Sequence, residues 1–215
     1  GTSAHVLEKE IHYVVGSGNH ARGLIHRNPD GTLRQLPLAW YAEKGGFWAM
    51  APGYDRPDHP DFRRRLTEDC LFCHNGYPRR GSLATGIDCQ RCHGPGSAHV
   101  EAARRGRQAG EVRAAIVQPA RLDSLRQLEL CLGCHLETTS FRLPYALRRF
   151  GRDTFSYRPG EPLADYMLHF DHAPDSGYED KFEVAGAPFR LRKSACFTKS
   201  GGRMLCTTCP DPPPP

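Results

Sequence analysis

Three times in this chain two cysteines stand with two residues between them and a histidine directly after the second. The motifs are Cys70-Leu71-Phe72-Cys73-His74, Cys89-Gln90-Arg91-Cys92-His93 and Cys131-Leu132-Gly133-Cys134-His135. This is the attachment signature of a c-type haem. The two thiols add across the two vinyl groups of the porphyrin, and the adjacent imidazole becomes an axial iron ligand. A chain of this kind folds around cofactors that are bonded to it, so the motifs bear on cofactor, compartment and chemistry together.

Zinc is the rival reading. Fifteen residues separate Cys73 from Cys89, which also suits a four-cysteine zinc ribbon. Zinc does not demand a histidine after each pair. With 11 His in 215 residues, three such histidines arise by chance about once in ten thousand such chains. The third pair also has no neighbouring pair to complete a tetrahedral site. A fourth pair, Cys206-Thr207-Thr208-Cys209, is followed by Pro210, which has no side-chain ligand. Two readings stay open there. One is a redox pair, or a disulfide involving Cys196, the ninth cysteine. The other is a fourth haem held by thioethers, its iron bound by a distant or intermolecular histidine.

Local patterning places the motifs on helices. Ser124 to Gln127 has capping-box spacing, and Leu125, Leu128, Leu132 and Leu136 follow at helical intervals. On such a helix Cys131 and Cys134 share one side, and His135 comes about 100° further round. Before the first motif, Pro60 suits a first helical position. Phe62, Leu66 and Cys70 form an i, i+4 stripe, and Asn75-Gly76 stops the helix. Ser97 is expected to cap a further helix running to about Arg105.

Leu, Ile, Val and Phe together number 41 of 215 residues, near the level of chains that cannot build a core. The net charge of +5 is too small to explain this by disorder. Bound porphyrins resolve the tension, because their apolar faces replace aliphatic filling. The basic residues are mostly Arg, notably Arg63-Arg64-Arg65, Arg104-Arg105-Gly106-Arg107 and Arg148-Arg149. Such runs pair with haem propionates, form solvated faces or steer an acidic redox partner protein. No recognition motif accompanies the charge, so nucleic-acid binding finds no support. No apolar stretch reaches membrane-spanning length.

These features predict a mostly α fold with long irregular loops and a small N-terminal β-hairpin, wrapped around a haem array. Residues 1–209 are expected to form one multihaem domain, β-rich over 11–41 and haem-bearing over 59–209. Residues 210–215 form a proline-rich tail, a linker or frayed end. In the β-rich part, Leu24-Ile25-His26 and Leu33 to Leu38 flank the turn Asn28-Pro29-Asp30-Gly31. Pro37 points to an edge strand. Trp40, Tyr41, Phe47, Trp48 and Tyr54 line haem faces or form ordinary core.

The sixth iron ligand is expected from histidine, because eight His lie outside the motifs against three Met. His99 leads, six residues beyond His93 across Gly94-Pro95-Gly96. His20 and His26 are an even number apart and would share a strand face. His59, His172 and its neighbour His169 are further candidates. His5 and His12 carry less weight.

The residues resemble a known group, the tetrahaem cytochrome family whose type member accepts electrons from hydroxylamine oxidoreductase. More narrowly, the chain is similar to multihaem cytochromes often fused to tetratricopeptide repeats. The similarity runs through Val15 to Arg22, Trp40 to Trp48, Cys70 to Tyr77, Gly86 to Gly96 and Leu205 to Cys209. It implies a mostly helical fold over closely packed haems and a periplasmic electron-carrying role. The chain departs from the pattern at its end, where Pro210 and Pro213 stand in place of two expected histidines.

The leading expectation is electron transfer through three covalent haems, with a fourth open, outside the bacterial cytoplasm in the periplasm or beyond the cell. Thioether formation requires reduced cysteines to meet haem there, so the chain reads as exported, with a leader removed or as a mature fragment. One alternative is an oxidoreductase with an open-coordination haem acting on a small nitrogen species. The other is a homo-oligomeric filament subunit, in which a histidine of one copy completes a haem of the next.

Overall fold

The computed structural model describes residues 6–16, 20–77, 86–136, 146–173, 175–177 and 186–208. His5, Cys209 and the proline tail lie outside them. The chain divides into two compact units, Gly1–His74 and Asn75–Pro215.

The first unit is built on an antiparallel sheet of β1 (Tyr13–Val15), β2 (Ala21–Arg27), β3 (Leu33–Tyr41), β4 (Phe47–Met50) and β5 (Arg65–Leu66). The strand order is β1-β2-β3-β4, with β5 also paired to β3. The expected turn between β2 and β3 is present. Gly31 N–H donates to Asn28 O at 2.9 Å, and the Asp30 carboxylate accepts from Thr32 N and Oγ1 at 2.9 and 2.7 Å. Gly31 has φ +82° there, a conformation that favours glycine.

Pro37 does not mark an edge: β3 is central, with partners on both sides. Gly23 pairs with Ala39 but Ile25 with Gln35, so β3 carries two extra residues against β2. Pro37 sits inside that bulge, where the ladder asks for no N–H. Its carbonyl still accepts from Ala51 N at 2.7 Å.

Beside the bulge lies a buried cluster of this unit. Ala39, Ala51 and Tyr54 are buried, with Tyr41 and Met50 against them. Tyr54 donates its hydroxyl proton to Gln35 O at 3.0 Å, and the Arg64 guanidinium lies 4.3 Å over its ring. Of the five aromatics proposed to line haem faces, Tyr54 is therefore core.

The helix expected from Pro60 to His74 is broken. Asp61–Arg63 form one 3₁₀ turn, β5 follows, and only Glu68–His74 is α-helical (α1). Leu33 pairs with Leu66 and Arg34 with Arg65. Satisfying the open side of β3 outweighs the apolar period read from Phe62, Leu66 and Cys70.

In the second unit α2 (Gln90–His93), α3 (Ser97–Arg104), α4 (Ala109–Ala114) and α5 (Ser124–His135) come first. A two-stranded antiparallel ribbon of β6 (Ala146–Arg148) and β7 (Met167–His169) follows, then α6 (Ala187–Lys193) and α7 (Ala195–Lys199). Ser97 is the first residue of α3 rather than its cap, and Gly96 holds the cap position. The cap of α5 is Asp123, whose carboxylate accepts Arg126 N–H at 2.9 Å, so the residue before Ser124 does the capping. The apolar stripe of α5 holds in part: Leu128 and Leu132 are buried, while Leu125 is exposed.

Helices account for 35% of the described residues and strands for 19%. The fold is therefore mixed, and the mostly α expectation with a small hairpin is corrected to a five-stranded antiparallel sheet plus seven α-helices among the described residues. Strands of two to four residues, such as β5, β1 and β4, are too short to imprint a period on the sequence. No helix among the described residues is long and apolar enough to cross a membrane.

Candidate functional site

In the first unit, α1 carries Cys70 and Cys73 one turn apart and ends on His74. Cys70 and His74 are exposed, Cys73 is partly buried, and Phe72 turns inward. Thr67 Oγ1 lies 3.7 Å from Cys70 Sγ.

The second unit gathers thiols from three motifs. Cys89 opens the turn of α2, accepting His93 N–H at 2.9 Å. Cys131 and Cys134 lie three apart on α5, with His135 at its last position. Cys206 occupies a tight turn in which Thr208 N–H donates to Leu205 O at 3.0 Å. Cys206, Cys92 and Cys134 lie near enough to Cys131 to act on its thiol electrostatically. Burial first, then these neighbours, push the Cys131 thiol up to about 11. Burial likewise raises Cys92, with Arg91 opposing. None of the eight described cysteines is in a disulfide.

Sequence reasoning missed Arg91, the third residue of its motif. Its guanidinium stacks 5.2 Å from the Tyr77 ring and 5.4 Å from Phe155, and Nη2 reaches Cys134 Sγ at 3.9 Å. It therefore ties the second motif to the third. Behind it Tyr77 donates to Tyr157 O at 2.9 Å, and buried Glu129 pairs with Arg126.

The histidines separate by tautomer. His93 Nδ1 faces Val117 O at 2.8 Å, and His99 Nδ1 faces Val112 O at 2.8 Å. A carbonyl only accepts, so each Nδ1 carries the proton and each Nε2 keeps its lone pair for a metal. His26 is alike, with Nδ1 on Glu10 O at 2.9 Å. His59 is held the other way: Asp61 N–H donates to its Nδ1 at 3.1 Å, placing the proton on Nε2. His12 Nδ1 faces both the Arg27 N–H at 3.2 Å and the Glu10 carbonyl at 3.3 Å, a donor and an acceptor that ask for opposite tautomers. The structure pairs His26 with His12, rings 5.1 Å apart and edge-on, rather than with His20. His20 is exposed, just ahead of β2. His172 N–H donates to Asp171 Oδ1 at 2.8 Å, and its Nε2 is buried.

His169 sits in β7 opposite Ala146. Burial, and then the Arg192 charge, hold its pKa below the ordinary 6.5. Below that value the unfolded chain binds a proton that the folded chain refuses, so this residue weakens the fold as pH falls through about 6.5. Replacing it with asparagine should reduce the loss of denaturation midpoint between about pH 7 and pH 5.

The residues present fit a covalently held haem. The paired cysteines are not in disulfides, α1 and α5 each place two of them on one side, and His93 offers Nε2 from a fixed ring. The described apolar core of the second unit is small: Leu128, Leu132, Tyr157, Leu163, Tyr166 and Met167. Among the described residues no group of three or more His, Cys, Asp or Glu side chains is arranged to hold a metal ion. That does not bear on haem, whose iron takes at most two ligands from protein.

No family model matches this sequence, and neither a curated protein nor a solved structure was found to match it.

Proposed function

We propose that this chain is a multihaem c-type cytochrome that carries electrons. Haem c is bonded at Cys70/Cys73, Cys89/Cys92 and Cys131/Cys134, with His74, His93 and His135 as proximal ligands. Once bound, the iron supplies one-electron chemistry between ferrous and ferric states. The chain's own part is to hold thiols, fix imidazoles and set the surrounding charge.

The observation that carries the reading is the matched anchoring of His93 and His99. Each imidazole gives its Nδ1 proton to a backbone carbonyl, and each keeps Nε2 for iron. His99 is accordingly the leading distal ligand. The resemblance to cytochromes that take electrons from hydroxylamine oxidoreductase points the same way. It adds an exported location and redox protein partners, which the basic runs would attract if acidic.

Intact-protein mass tests the reading, since every covalent haem adds a fixed increment: three increments are expected, and none would refute it. The ligand assignment has its own test. Replacing His99 with alanine should convert one haem from low-spin to high-spin in low-temperature electron paramagnetic resonance, with the haem count unchanged. An unaltered spectrum would remove His99 from the ligand set. Carbon monoxide binding to the reduced wild-type protein would instead favour an oxidoreductase.

A second reading, a filament subunit, draws on His26. It lines an open cavity of about 670 Å³ with Lys9, Glu10, His12 and Arg27, and its Nε2 lone pair is uncommitted to the Glu10 contact. A monodisperse monomer in native material would exclude this reading.

A further inference from the structure

We infer, resting on the cytochrome reading, that Arg91 of the second motif sets the redox potential of the haem at the third. Nη2 of Arg91 donates to Cys134 Sγ at 3.9 Å, across 43 residues of sequence. In the loaded chain that sulfur is bonded to a vinyl carbon of the third porphyrin. The guanidinium therefore belongs by sequence to one attachment turn and by contact to another.

The side chain is held in this position from several directions. Its guanidinium lies 5.2 Å from the centre of the Tyr77 ring and 5.4 Å from that of Phe155. Those two rings are 6.2 Å apart and tilted against each other. Tyr77 is fixed in turn, donating its hydroxyl proton to Tyr157 O at 2.9 Å. Tyr157 is buried and packs edge-on against buried Tyr166 at 5.4 Å. The backbone of Arg91 is tied by its N–H to Asp88 O at 3.1 Å, and Cys134 is carried by α5. Arginine suits this place, because its flat face stacks on rings while its charge persists at every working pH. Arg91 and Cys134 are both partly buried, so the charge is screened less than on an open surface. A ferric haem carries one more positive charge than a ferrous one. A fixed cation beside it penalises the ferric state and raises the potential.

The test removes the second haem and keeps the arginine. In the full chain carrying Cys89→Ser and Cys92→Ser, haem remains at the first and third motifs. Potentiometric titration followed by visible absorbance gives their midpoints. Adding Arg91→Gln should lower one midpoint, so that at a fixed potential near it the ferric-to-ferrous ratio rises several-fold. Arg91→Lys, which keeps the charge, should recover most of the shift. The low-spin electron paramagnetic resonance signals should match those of the parent chain. With Cys131→Ser and Cys134→Ser also present, the response to Arg91→Gln should vanish. Unchanged midpoints overturn the assignment. So does a shift that Arg91→Lys fails to recover, one that comes with altered ligation, or one that persists without the third motif's cysteines. Intact mass counts the haems in every sample. A wild-type chain without haem sinks the cytochrome reading as well, whereas three haems whose midpoints ignore Arg91 sink this assignment alone.

Discussion

Replacing Cys89 and Cys92 with serine should remove one of three haems, and with it about one third of the Soret absorbance per chain. Serine is nearly isosteric but forms no thioether, so attachment fails while the turn of α2 survives. That turn is held by backbone groups and by Asp88, which accepts Gln90 N–H at 3.1 Å. The loss should be confined to the second motif, because Cys131 and Cys134 are fixed by α5, whose cap at Asp123 and buried Leu128 and Leu132 lie outside the substitution. Mass and absorbance on the same sample check the result. Retention of all three increments would place the second haem elsewhere. A colourless variant would show that the three attachments are interdependent.

Tyr54→Ala should cost the first unit about 3–5 kcal/mol, as truncation of large buried aromatics does. The side chain is 1% exposed. Its removal leaves a void between Ala39 and Ala51, neither of which can reach across it. The loss also strips Gln35 O of a donor and Arg64 of the ring beneath it. Tyr54→Phe should cost only about 1 kcal/mol, the worth of the hydroxyl bond. Both tryptophans, Trp40 and Trp48, belong to the first unit. Tryptophan fluorescence during urea unfolding therefore follows that unit, and equal midpoints for Tyr54→Ala and wild type would contradict the packing argument.

Legibility from sequence followed the range of the interactions. The β2–β3 turn was readable because Asn28, Asp30 and Gly31 act within four residues. The helix of the third motif was readable because its leucines repeat over three turns. The cap was misplaced by one residue because both Asp123 and Ser124 can cap, and only the backbone angle at Asp123 decides between them. β5 escaped because two residues carry no period, and their conformation is imposed by Leu33 and Arg34, more than thirty residues away. The site divided the same way. The cysteine pairs and the histidines that follow them are adjacent in the chain and visible at once. The carbonyls of Val117, Val112 and Glu10, which sort the imidazoles, are remote and belong to backbone that no residue type announces. Arg91 was hidden for a similar reason: its partners Tyr77, Phe155 and Cys134 converge only after folding.

The seam between the two units falls directly after His74, so it severs none of the Cys–Cys–His triplets. Inserting or exchanging sequence at that point would leave each attachment turn whole. If the triplets hold haem as proposed, recombination at this one joint adds or removes a whole attachment turn without rebuilding any other.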